Sequence, residues 1–306
     1  MIKNFYRKGL VIGIIILFFG ANILPIVSGN NEKIDIKIFK KYNHTWKSNH
    51  TIFVEVATLQ NCIPCSWWNQ NIYDVYNSGE YNFEYVEMIV FDHSGNVLNE
   101  KANNWRENYN IYSFPTSIFD GDYLRLVGNH PDQLPEKLYA CGNRSTRDIT
   151  TDINATWLGD AKIKINIAIK NNEGGQYNGY IRACITEIIS RYDTYYNEPY
   201  HFGFLDYAFP MNTAVSIPAG DTYINSVIWN GNEHEDTNGD NFGDIICGNI
   251  KIILSVFNSD NNFVDGVKVS TVLKDRAIIM PFLQFLESHP NLFTILQKLI
   301  LRLGLQ

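Results

Sequence analysis

Two regimes of hydrophobic patterning divide the chain. Between Thr51 and Arg144, apolar β-forming runs alternate with segments whose apolar residues recur at three- and four-residue steps. Ile52, Phe53, Val54 and Val56 predict a strand, and Trp68, Ile72, Val75 and Tyr76 predict a helix that stops at Gly79, where a positive φ suits glycine. The run Tyr81–Phe91 predicts a buried second strand. Leu98, Ala102, Trp105 and Tyr109 fall on one face of a helix over about 97–109. A hairpin turning at Asp120-Gly121 and a helix over about 131–141 complete an α/β unit.

Beyond about Asp148 the period changes to two. Lys162–Lys170 alternates lysine, asparagine or alanine with isoleucine. Further strands are predicted at 153–158, 179–189, 222–229, 250–257 and 266–273. Strands at this spacing without helices imply an antiparallel sandwich of immunoglobulin-like type. Tyr192, Tyr195, Tyr196, Tyr200 and His201 read as an aromatic-rich loop packed on itself. Residues 275–306 become apolar and helical again, but Lys298 and Arg302 interrupt the run, so the segment suits a membrane surface, a docking partner or the sandwich itself better than a bilayer span.

The N-terminus changes the setting. Lys3, Arg7 and Lys8 precede an apolar run from Leu10 that weakens toward Val27, with small residues at Ser28-Gly29, the pattern of an export signal. An uncleaved membrane anchor is the alternative, since Leu10–Val27 approaches spanning length. The organisation is then signal or anchor (1–29), tether or leading strand (30–50), α/β domain (51–147), β-sandwich (148–274) and helical tail (275–306). Removing residues 1–29 moves the net charge from −7 to −10, with 22 basic residues against 32 acidic, which argues against a nucleic-acid partner. Asn-x-Ser/Thr sequons at Asn43, Asn49, Asn143 and Asn154 suit an exported glycoprotein.

Export makes disulfides durable, so the five cysteines bear on function. Cys62-Ile63-Pro64-Cys65 sits where the first strand turns into the first helix. There the unpaired N–H groups and macrodipole favour a thiolate at Cys62, and Cys65 follows one turn later on the same side. Such a dithiol can cycle. A zinc site would need a second ligand pair, and no other CxxC or HxxxH exists; an inert bridge is the remaining alternative. Cys184 and Cys247 could pair, leaving Cys141 as a buried small hydrophobe, or Cys141 could itself pair with either of them. Asp236, Asn238, Asp240 and Asp244 place oxygen side chains at intervals used by Ca²⁺ loops, although Asn241 replaces the expected glycine and Cys247 the closing acid. An Asn/Asp/Gly-rich turn explains the same residues, and no other cofactor is implied.

CxxC opening the first helix of a βαβ unit, followed by Phe114-Pro115-Thr116 before a strand and a glycine-containing hairpin, resembles the thioredoxin fold over about Thr51–Arg144. The resemblance implies a cis Pro115 beside the dithiol, Phe114 facing substrate, and a buried acid below Cys65, for which Glu55 is the nearest candidate. Asn61 stands where that family often has tryptophan. The whole implies an exported thiol–disulfide oxidoreductase, oxidase or isomerase, acting on protein thiols or disulfides with a membrane redox partner. The alternative is a non-enzymatic surface binding or adhesion protein on the same scaffold.

Overall fold

The computed structural model describes residues 48–274. The signal or anchor, nearly all of the tether, the sequon at Asn43 and the helical tail lie outside the described residues. No helix among the described residues is long and apolar enough to cross a membrane.

The α/β half contains β1 (Ile52–Leu59), α1 (Ile63–Ser78), β2 (Phe83–Phe91), α2 (Glu100–Asn108), β3 (Thr116–Phe119), β4 (Leu124–Val127) and α3 (Leu134–Gly142). β1 and β2 pair in parallel, and β3 and β4 follow antiparallel, as a βαβ unit with a terminal hairpin. Local chemistry fixes the ends of the helices. Gly79 closes α1 at φ 65°, and Asn99 caps α2 by accepting from the N–H groups of Lys101 and Ala102.

The second half supplies β5 (Ile149–Gly159), β6 (Lys162–Asn171), β7 (Tyr177–Asp193), β8 (Pro199–Tyr207), β9 (Thr213–Ile217), β10 (Thr222–Asn230), β11 (Ile250–Asn258), β12 (Val264–Thr271) and β13 (Leu273–Lys274). β10, β6, β5 and β13 form a four-stranded sheet. The others do not close a sheet of their own. β8 pairs in parallel with β2 through Glu87 and Gly203, giving one nine-stranded sheet in the order β12-β11-β7-β8-β2-β1-β3-β4 with β9 beside β7. The junction needs glycine, because a Cβ on Gly203 would collide with Ser190 Oγ and crowd Ile89. Part of the segment read as an aromatic loop is therefore strand: Tyr192 lies within β7, and Tyr200 and His201 lie within β8.

Side-chain alternation sorts the layers. Val54, Val56 and Tyr85 pack with Trp68 and Ile72 of α1 and Leu138 of α3. Phe53, Ala57, Val86 and Met88 point the other way, onto Ala102 and Trp105 of α2 together with Cys184 and Ile253. Ala183, Ile252 and Leu254, alternating with that last pair, face the small sheet's Ile163, Ile165 and Ile167. The small sheet thus covers the same face as α1, and α2 covers the opposite one.

The sheet curls until Arg182 on β7 reaches Glu55 on β1, past two intervening strands. Nη1 lies 2.9 Å from both carboxylate oxygens, Nε donates to Asn212 Oδ1 at 2.8 Å, and the guanidinium covers the Phe257 ring at 4.4 Å. Burial pushes the Glu55 carboxyl up, and the arginine opposes that shift. Cys141, Cys184 and Cys247 are buried thiols outside the disulfide. Cys184 and Cys247 do not pair, because they serve cores on opposite faces of the sheet.

Candidate active site

β1 ends at Leu59, and the chain turns through Gln60 and Asn61 into α1, so Cys62 becomes the residue that caps the helix. Its backbone is extended at φ −141° and ψ 106°, and its sulfur accepts the Cys65 N–H at 3.1 Å. Pro64 occupies the first turn, where its missing N–H has no helical partner to lose. Cys62 and Cys65 are disulfide-bonded, with Cα atoms 5.2 Å apart. The first turn of α1 carries no acidic residue to offset the positive end of the helix dipole. Cys62 keeps 9% of its surface, whereas Cys65 keeps 1%, so an incoming thiolate meets the first sulfur. Reduction would leave Cys62 under the influence of N–H groups that stabilise its anion.

Trp68 ties this helix to the strand after the proline. Its indole N–H donates to Ser117 Oγ at 3.0 Å. The Phe114–Pro115 bond is cis, Pro115 is buried, and its carbonyl accepts the Gly128 N–H at 2.7 Å. Phe114 is half-buried and meets Phe91 edge-on with ring centres 5.9 Å apart.

Glu55 is not brought to the dithiol. Its carboxylate points to the α2 face and is taken up by Arg182, because Val54 and Val56 are the β1 residues beneath α1. A different acid occupies the α1 face. Glu87 on β2 alternates with Val86 and Met88, so it shares the side of Phe83 and Tyr85, and its register partner is Val56. It is fully buried, neither oxygen has a protein hydrogen-bond partner, and burial pushes its carboxyl well above the usual range. The sequence signal was a lone acid inside an apolar strand run, Tyr85-Val86-Glu87-Met88-Ile89. Tyr85 Oη, Thr194 Oγ1 and His201 Nδ1 are likewise buried without hydrogen-bond partners.

The oxygen-rich loop resolves as a turn. Asp236 Oδ1 accepts the N–H groups of Asn238 and Asp240, and its Oδ2 accepts the Tyr192 hydroxyl at 3.1 Å. Asp244 turns away to Arg191 at 2.8 Å. The four side chains therefore do not converge as a calcium loop requires. Among the described residues no group of three or more His, Cys, Asp or Glu is placed to hold a metal ion.

No family model and no curated protein matches the sequence. Solved structures do match the fold. HBP35 of Porphyromonas gingivalis is similar over 74% of this chain and 76% of its own, with a TM-score of 0.58 at 10% identity. A crystallised Agrobacterium tumefaciens protein covers 73% of this chain and 95% of its own, with a TM-score of 0.43 at 12% identity. A domain of the outer membrane lipoprotein Omp28 from P. gingivalis covers 42% of this chain and 90% of its own, with a TM-score of 0.31 at 13% identity. The first likeness is one of architecture: this chain has a thioredoxin-like fold with a CxxC disulfide at a helix start.

Proposed function

We propose that this protein is an exported thiol–disulfide oxidoreductase acting on protein cysteines. The observation that carries the reading is Cys62 capping α1 while bonded to Cys65, with the first sulfur the more exposed of the two. A client thiolate attacks Cys62 Sγ, the Cys62–Cys65 bond breaks, and Cys65 leaves as thiolate. A second client thiolate then attacks the client sulfur of the mixed disulfide and releases Cys62. The client dithiol becomes a disulfide, and the protein takes up the two electrons as a dithiol. An oxidant of the disulfide or membrane electron-carrier class restores it; with a mispaired client the reduced form isomerises instead, the Cys62 thiolate opening the client disulfide and a different client thiolate displacing Cys62 again, with no net change of oxidation state.

Glu87 supports this cycle as the proton store beneath α1. Kept neutral by burial, it can protonate the departing Cys65 and take the proton back on reoxidation. Pro115 and Phe114, joined to α1 through the Ser117–Trp68 hydrogen bond, border the approach of the client chain. The basic and apolar start of the sequence and the surface-exposed sequons at Asn49, Asn143 and Asn154 support an extracytoplasmic, glycosylated protein held near a membrane.

A trapping experiment tests the function. Cys65→Ser, mixed with a disulfide-bonded client peptide, accumulates a covalent adduct on Cys62 that dithiothreitol releases, and Cys62→Ser accumulates none. If Cys65→Ser forms no adduct, the redox function is wrong and a non-enzymatic binding scaffold remains.

A further inference from the structure

The β7–β8 hairpin comes from the second half of the chain, yet it is bolted to the helix that carries the dithiol. Tyr195 N–H donates to Ser66 Oγ at 3.1 Å, and Ser66 is the residue after Cys65. Asn69 grips the β8 arm at two points: its Nδ2 donates to Pro199 O at 3.3 Å, and its Oδ1 accepts the His201 N–H at 3.1 Å. His201 then stacks on Tyr73 with ring centres 3.5 Å apart. The turn is itself closed, by Thr194 N–H to Glu198 O at 2.8 Å and by Asn197 at φ 59°. A rigid loop is held one residue from the reacting pair.

What the hairpin presents there is aromatic. Tyr195 and Tyr196 pack edge to face with centres 5.3 Å apart and stay 44% and 50% exposed. Next to the dithiol in the chain, α1 exposes Trp67, two residues after Cys65, at 52% and Ile63, the residue after Cys62, at 37%. Four large apolar side chains around one disulfide are not the scattered surface hydrophobics of an ordinary monomer. Tyrosine and tryptophan offer wide contact area with few torsions to freeze, which is why they dominate binding hot spots.

We infer that Tyr195, Tyr196, Trp67 and Ile63 form the client-docking surface of the dithiol, and that its occupant is an unfolded polypeptide segment whose cysteine is flanked by aromatic or aliphatic residues. This rests on the exchange function proposed above. Ile63 follows Cys62 in the chain and Tyr195 is hydrogen-bonded to Ser66, the residue after Cys65, so the molecule these side chains hold is the one whose sulfur reacts. A folded client would present its cysteines away from such apolar neighbours, whereas an unfolded one offers both together.

The test is equilibrium binding by the full chain of a fluorescent twelve-residue peptide with serine in place of its cysteine, flanked by Phe and Leu or, as control, by Ser and Gly. The Phe/Leu peptide should bind at least tenfold more tightly than the control. Tyr195→Ser with Tyr196→Ser should remove that preference, Trp67→Ser alone should weaken it severalfold, and Tyr195→Phe with Tyr196→Phe should retain it within twofold. Equal binding of both peptides to the native chain, or full preference in the serine variants, overturns the assignment. A concentration-dependent dimer or vesicle binding that vanishes in the serine pair also overturns it, in favour of a second copy or a membrane. Because the probe carries no sulfur, this result stands apart from the adduct-trapping experiment, and either can fail without the other.

Discussion

Trp68 Nε1 donates to Ser117 Oγ across the interface between α1 and β3, and both groups are buried. This one bond joins the helix that presents the dithiol to the strand that follows the cis proline. Ser117→Ala would leave the indole N–H buried without a partner, at a cost of about 1–3 kcal/mol. Urea unfolding of the two proteins should show that loss at unchanged m-value; a difference below about 0.5 kcal/mol, the usual scatter of surface substitutions, would mean that another acceptor replaces the hydroxyl.

Arg182 and Glu55 hold the two halves of the chain together. Arg182→Met strands a buried carboxylate and should lower stability by roughly 3–5 kcal/mol, while adding Glu55→Leu should restore much of it. The coupling follows from a double-mutant cycle by denaturant titration. Additive losses would show that the pair does not act as a unit.

Glu87 gives the protein a pH signature. Its folded pKa is raised, so between the ordinary carboxylate range and that higher value the folded state binds more protons than the unfolded one. Its contribution to stability is therefore fully present below the ordinary range and is lost as pH rises toward the folded pKa, by about 1.4 kcal/mol for every tenfold difference in proton affinity between the two states. The native protein should lose stability relative to Glu87→Gln as pH rises above the ordinary carboxylate range, measured by denaturant midpoints. Parallel pH profiles would show that Glu87 is solvated.

The three thiols outside the disulfide should be silent. Burial pushes the Cys141 and Cys184 thiols up, and Cys247 lies in the core shared with the small sheet. After mild reduction, iodoacetamide and mass spectrometry should find Cys62 modified first and Cys141, Cys184 and Cys247 only in denaturant. Early labelling of any of the three would reveal an opening of the core.

What the sequence disclosed was local. The strand, Cys62, the helix and Gly79 obey rules that act within a few residues, and so does the lysine-faced alternation of β6. β8 was hidden for the opposite reason. Its pairing with β2 is non-local, Phe202 at φ 52° breaks its alternation, and its tyrosines imitate a loop. The join between the two halves rests on Gly203, and nothing near that glycine in the chain advertises a neighbour more than a hundred residues away. Glu55 and Glu87 differ by which face of the sheet each points to, and strand register puts Glu87 rather than Glu55 on the α1 face.

The central claim is that Cys62, once reduced, is a nucleophile activated by the end of α1. Its alkylation rate against pH in the reduced native chain measures this directly. A thiolate stabilised by the helix end gives a midpoint at least one unit below the free-thiol value of about 8.5. A midpoint at or above that value would contradict it.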